Sequence, residues 1–281
     1  MRALEVPFSA GMGMSEANPA KDPINKTIVK ALAQSIQEGD KEEEHLVDQV
    51  AQYLGEAQWL AATTHPILAP AVSMYASLLK DKPRGSLGAM KHMFRYIIGV
   101  KDYCLIKQPG CKRGLEVSCD ADWAGMYALC GEKRSRTGII ALYDGMPIAW
   151  RSAYQQCKGT EWMCTDLIST SSAESEVYSA ADAAKLAIHL YYVCEEVGIP
   201  VPAPVKINID AGAALGFIQN TGTIGRMKHI DLRSDWVQTM RSTGRIEFVK
   251  IPGEDNLADF FTKIHTGNKV KEMLQVLMKQ M

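Results

Sequence analysis

The stretch Glu116-Val117-Ser118-Cys119-Asp120-Ala121-Asp122-Trp123-Ala124-Gly125 is where the chain changes from helical to strand-forming texture. In a strand, successive side chains alternate between faces. Asp120 and Asp122 therefore share one face, while Val117, Cys119 and Ala121 share the other. Two like charges side by side are unfavourable unless a cation or solvent relieves them. A strand end facing water explains the pair as readily as a binding site does.

Working downstream, Leu115–Asp120 reads as a strand. Thr137–Leu142 and Pro147–Arg151 read as a hairpin turning at Asp144-Gly145, the dipeptide that tight hairpins favour. A long helix over Ala173–Val197 is stopped by Gly198 and Pro200. Val205–Asp210 alternates strictly and is a strand, followed by helices over Ala213–Gln219 and Asp231–Thr243. Ile246–Ile251 is a further strand, and the chain is helical from Asn256. The order β-β-β-α-β-α-β-α makes this part a mixed α/β layer with no internal repeat.

Upstream, Leu46, Val50, Tyr53, Leu54 and Leu60 recur at helical spacing. Val72, Tyr75, Leu78 and Leu79 mark a second helix, and Leu87–Ile98 a third ended by Gly99. Residues before about 42 are rich in Gly, Pro, Ser and Asn and close on an acidic run, the texture of a flexible tail. The expected division is a tail over 1–44, a helical module over 45–105, an α/β domain over 106–265 and a helical C-terminal tail over 266–281.

The chain has 281 residues, 47% hydrophobic and 22% charged, with a formal net charge of −1. No apolar run approaches the roughly 18 residues that span a bilayer, and the N-terminus carries no secretory pattern. Seven cysteines without a Cys-x-x-Cys pair argue against a disulfide framework or a zinc site. The expected location is intracellular, cytoplasmic (including virus-like particles) or nuclear. The near-zero charge is unlike that of a free-standing nucleic-acid binder, because phosphate contacts dominate such affinities.

Three further acids stand where structure alone explains them poorly. Ser171-Ser172-Ala173-Glu174 fits a capping box, which accounts for Glu174. Glu176 instead shares a helix face with Ala180, Ala183, Ala184 and Ala187, where a carboxylate is costly unless paired or metal-bound. Asp210 ends a strand, where α/β sites gather, although an N-cap role fits it too. Asp259 lies in the first turn of the last helix, where a surface acid is also at home.

These motifs, in order, resemble the C-terminal end of the Pol polyprotein of copia-type long-terminal-repeat retrotransposons over residues from about 45 to 265. The resemblance is carried by Asp120-Ala121-Asp122-Trp123-Ala124-Gly125, Arg134-Ser135-Arg136-Thr137-Gly138 and Pro147-Ile148-Ala149-Trp150-Arg151-Ser152. It continues through Ser171-Ser172-Ala173-Glu174-Ser175-Glu176, Met227-Lys228-His229-Ile230-Asp231-Leu232-Arg233 and Leu257-Ala258-Asp259-Phe260-Phe261-Thr262-Lys263. The segment Tyr53–Tyr103 resembles the stretch joining reverse transcriptase to ribonuclease H.

The resemblance implies an RNase H-like fold, a mixed five-stranded sheet flanked by helices, preceded by a small helical module. It implies an endonuclease that cuts the RNA strand of an RNA/DNA hybrid with two Mg²⁺ ions, Mn²⁺ being a substitute. Asp120, Glu176, Asp210 and Asp259 take the places of the family's catalytic metal ligands, and for Asp120 over Asp122 the resemblance alone decides. Arg226, Lys228, His229, Arg233 and Lys250 are candidates for substrate contacts. A polymerase would need an Asp-Asp pair, and the chain has no such dipeptide. The hybrid is then expected to be held by a reverse transcriptase domain supplied by the intact polyprotein, with no membrane partner. The stretch Gln156–Ile168 is longer than the family's usual spacing, and Gly253–Asn256 lacks the His that many ribonucleases H carry there. A catalytically silent RNase H-fold scaffold or interaction protein is the alternative that the sequence leaves open.

Overall fold

The structure, a computed structural model, describes residues 17–107, 110, 111, 113–155, 168–219 and 231–280, the side chains of 231–235 excepted. The chain forms two compact units. The helical unit comprises Met1–Ile106, Met126–Glu132 and Ile264–Met281, and the sheet unit Lys107–Gly125 and Lys133–Lys263. The helical unit therefore draws on three separated stretches, where the sequence suggests consecutive blocks. Among the described residues, no helix is long and apolar enough to cross a membrane.

In the helical unit, α1 (Lys26–Glu38), α2 (Glu44–Thr63), α3 (Ala69–Leu78) and α4 (Ser86–Val100) precede a last helix, Gly267–Leu277. Helix α1 corrects the expectation of a flexible tail up to residue 44. Asn25 caps it by accepting the Ile28 N–H at 3.1 Å, and Gly39 ends it at a left-handed φ of 69°. Val29, Leu32 and Ala33 bury one face of α1. Its hydrophobic spacing is ordinary for a helix; the Gly- and Pro-rich residues before it gave the whole stretch the look of a tail. Gly99, expected as a helix stop, lies within α4 instead. Its role is steric: a Cβ there would come within 2.9 Å of the Pro19 Cβ.

The sheet unit is an α/β structure with five strands: β1 (Leu115–Asp122), β2 (Arg136–Tyr143), β3 (Met146–Tyr154), β4 (Val205–Ile209) and β5 (Ile246–Lys250). Their order across the sheet is β3-β2-β1-β4-β5. β1, β2 and β3 pair antiparallel, and β4 joins β1, and β5 joins β4, in parallel. This is the RNase H-like arrangement. The β2–β3 turn takes left-handed conformations at Asp144 (φ 49°) and Gly145 (φ 78°), matching the twist of the hairpin.

Helix α5 (Ser172–Glu196) covers one face of the sheet. Val177, Ala180, Ala183, Ala184 and Ala187 meet Val117 and Cys119 of β1, Ile139 and Ala141 of β2 and Ile207 of β4 in one buried core. The alanine face lets the helix axis approach the sheet closely, so few large side chains are needed to fill the layer. Helices α6 (Gly212–Gln219) and α7 (Asp231–Ser242) follow β4 and add Ala214, Ile218 and Val237 to that core. The expected helix from Asn256 is instead two short 3₁₀ turns, Gly253–Asp255 and Leu257–Phe261.

Candidate metal centre

Three carboxylates from three elements meet in the sheet unit. Asp120 on β1, Glu176 on α5 and Asp210 just beyond β4 each offer an oxygen, and these oxygens lie within 4.8 Å of one another. They converge because β1 and β4 are parallel neighbours while α5 crosses over both. Ser179, one turn along α5 from Glu176, donates to the Asp120 carbonyl at 2.7 Å and fixes the helix against the strand.

The bland explanations for these acids are not met. The capping-box Glu174 accepts from the Thr170 N–H and hydroxyl, each at 2.7 Å, and from the Tyr178 hydroxyl at 2.9 Å. Ser171 accepts the Glu174 N–H at 3.2 Å, so the helix start is satisfied without Glu176. Asp210 is not the cap of α6: the first helical bond runs from the Leu215 N–H to the Ala211 carbonyl at 3.0 Å.

Asp120 is 4% exposed, and Glu176 keeps Oε2 buried without a hydrogen-bond partner. Burial pushes the Glu176 carboxyl up to about 8, reinforced by Asp120 and Asp210 and opposed by a backbone hydrogen bond from Ala121. Burial also pushes Asp120 up to about 6, against a hydrogen bond from Thr262 and the Lys263 charge. A buried carboxylate oxygen with no donor is costly. Crowded carboxylates with a spare buried oxygen are what a hard divalent cation relieves, since Mg²⁺ takes oxygen ligands. The donor set fits such an ion.

Asp259 lies outside that group of three. It sits in the 3₁₀ turn Leu257–Phe261, and its carboxylate is ion-paired with Lys263. The turn is tied to β1 at two points. Asn256 Nδ2 donates to the Cys119 carbonyl at 3.0 Å, and the Thr262 hydroxyl donates to Asp120 Oδ2 at 2.6 Å. Asp259 is close enough to raise the carboxyl pKa of both Asp120 and Asp122. Asp122 is not one of the three, and its carboxylate fills the space where a Cβ on Gly125 would be.

Thr262, Asn256, Lys263 and Gly138 make the contacts around Asp120 and the Asp259 turn, and the sequence does not single them out. The signal for Thr262 and Lys263 was their place in the last motif; for Gly138 it was a glycine inside a strand. Of the expected substrate contacts, Arg226, Lys228 and His229 lie outside the described residues, as do 156–167 of the long stretch after the hairpin. Arg233 falls on α7 where side chains are not described. Lys250, at the end of β5, donates from Nζ to the Asp210 carbonyl, so it supports the loop that carries Asp210.

No family model matches the chain. It is similar to the retrovirus-related Pol polyprotein from transposon TNT 1-94 of Nicotiana tabacum, 28% identical over 216 residues, which is 77% of this chain and 15% of that protein. It is similar to the retrovirus-related Pol polyprotein from transposon RE2 of Arabidopsis thaliana, 30% identical over 213 residues, 75% of this chain and 14% of that protein. The secreted RxLR effector protein 161 of Plasmopara viticola is 27% identical over 137 residues, 49% of this chain and 87% of that protein. The chain thus corresponds to about one seventh of the length of the Pol polyproteins it matches.

Proposed function

We propose that the sheet unit is a ribonuclease H-type endonuclease, part of a retrotransposon Pol polyprotein, that hydrolyses the RNA strand of an RNA/DNA hybrid. The observation that carries this reading is the meeting of Asp120, Glu176 and Asp210, one from each of three elements, with Glu176 Oε2 left unsatisfied. Similarity to transposon Pol polyproteins supports the same reading.

Asp120, Glu176 and Asp210 would hold divalent cations, two Mg²⁺ by the chemistry of phosphodiester hydrolysis, with Asp259 completing the set. When bound, such a pair lowers the pKa of an attacking water and offsets charge on the leaving oxygen. The protein's part is positioning. Thr262 and Asn256 hold the Asp259 turn on β1, and Ser179 holds Glu176 over Asp120. Asp120 is buried and Glu176 and Asp210 are partly buried, so part of the group stays open to solvent. The reading gives a 3′ hydroxyl and a 5′ phosphate as products, with RNA told from DNA by its 2′ hydroxyls. The reverse transcriptase of an intact polyprotein would hold the hybrid, consistent with a net charge of −1 here. Mg²⁺-dependent cleavage of a labelled hybrid, lost in Asp210→Asn, tests it.

A further inference from the structure

The site contains a cation of its own. Lys263 is ion-paired with Asp259 and directly follows Thr262, whose hydroxyl is bonded to Asp120 Oδ2 at 2.6 Å. The chain therefore delivers an ammonium group beside the carboxylates through a buried anchor, since Thr262 is fully buried. Exposed ion pairs one helical turn apart contribute little by themselves. Here the cation is also felt at Asp120, Asp122 and Glu176, lowering the carboxyl pKa of each.

We propose that Lys263 is a built-in counter-cation of this carboxylate group, holding Asp259 while no divalent ion is bound and yielding it when one enters. The proposal rests on the metal reading given above. It makes Lys263 a positioning residue with two consequences. Without metal, Lys263 keeps the turn carrying Asp259 in place next to crowded like charges. With metal, the same positive charge opposes the incoming ion, so the site binds Mg²⁺ more weakly than its carboxylates alone would. Release from Asp259 leaves the Lys263 ammonium free at the rim of the centre.

The test uses the full chain and Mg²⁺ alone, by titration calorimetry at fixed ionic strength, with thermal unfolding in chelator as a second readout. Lys263→Met removes the charge and keeps the length; Lys263→Arg keeps the charge. Lys185→Met removes a charge paired with Asp182 at 3.3 Å, on α5 beyond the site. Lys263→Met is expected to bind Mg²⁺ about five- to tenfold more tightly than the wild type, the effect of removing one half-exposed charge several ångströms from a divalent ion at a water-like effective dielectric. It should also melt earlier in chelator, and Lys263→Arg and Lys185→Met should keep the wild-type affinity. Equal affinity in the wild type and Lys263→Met overturns the proposal while leaving the metal reading intact. Equal tightening in Lys185→Met overturns it too, by reducing the effect to net charge. No Mg²⁺ binding to any of the four proteins overturns the metal reading and this proposal together.

Discussion

Gly138 stands directly opposite Asp120 in the β1–β2 pairing, and the space its absent side chain leaves is filled by the Ala258 carbonyl. A Cβ at 138 would lie 2.5 Å from that oxygen, 2.8 Å from Thr262 Cγ2 and 2.9 Å from Phe261 Cβ. One missing methyl in the second strand thus lets the 3₁₀ turn bearing Asp259 settle on the first. Ser152 of β3 completes the seat by donating to the Phe261 carbonyl at 2.6 Å.

Gly138→Ala follows directly. The methyl must displace backbone rather than a flexible side chain, so a loss of about 1–3 kcal/mol is expected, the usual range for overpacking. The turn should lift from β1 and take Thr262 and Asp259 out of reach of Asp120. Urea unfolding measures the first effect and Mg²⁺-dependent activity the second. A variant as stable and as active as the wild type would show that the turn does not depend on this close approach.

Thr262→Val keeps the shape of a fully buried side chain and removes the donor to Asp120. Loss of one such hydrogen bond costs about 1 kcal/mol or more when it strands a buried acceptor. The Thr262 bond also favours the charged form of Asp120. Without it, Asp120 holds its proton to higher pH, and the acid limb of the pH–rate profile should move upward. Thr262→Ser should restore both properties; unchanged midpoint and profile in Thr262→Val would remove Thr262 from the site.

The metal-free protein should lose stability as pH rises. Glu176 titrates near 8 in the folded chain against an ordinary value of 4.5, so the folded state binds the extra proton between those limits. Its contribution is fully present below about 4.5 and is lost as pH rises through about 8. Asp120 adds the same trend at lower pH, up to about 6. Mg²⁺ binds the ionised carboxylates, so the gain in Tm on adding it should grow from pH 5.5 to pH 8.5. Glu176→Gln should flatten the metal-free pH dependence and abolish most of the Mg²⁺ gain. A Tm gain equal at both pH values, or unchanged by Glu176→Gln, contradicts the assignment.

Much of the sheet unit could be read from residue patterns. Alternation marked β1, Asp144-Gly145 marked the hairpin, and the Ser171 cap with the alanine face marked α5. Glu176 was separable from Glu174 because a capping box explains one and not the other. Asp120 and Asp122 were not separable, since a strand puts both on one face. The choice depends on Asp122 folding over Gly125, a feature of the turn after the strand. Gly138, Asn256 and Thr262 are hidden for a similar reason, each making its contacts across more than a hundred residues of chain. Helix α1 carries local signals in its Asn25 cap and Gly39 stop, but the Gly- and Pro-rich composition before it masks them.

The most direct test of the central claim is cleavage of an end-labelled RNA/DNA hybrid by the full chain with Mg²⁺, beside Asp210→Asn, with Mn²⁺ tried in parallel. Cutting of the RNA strand that leaves 3′ hydroxyl ends, needs the metal, and vanishes in a folded Asp210→Asn protein is the predicted result. A folded wild-type protein that cuts with neither metal, or an Asp210→Asn variant that cuts as well as the wild type, would contradict it.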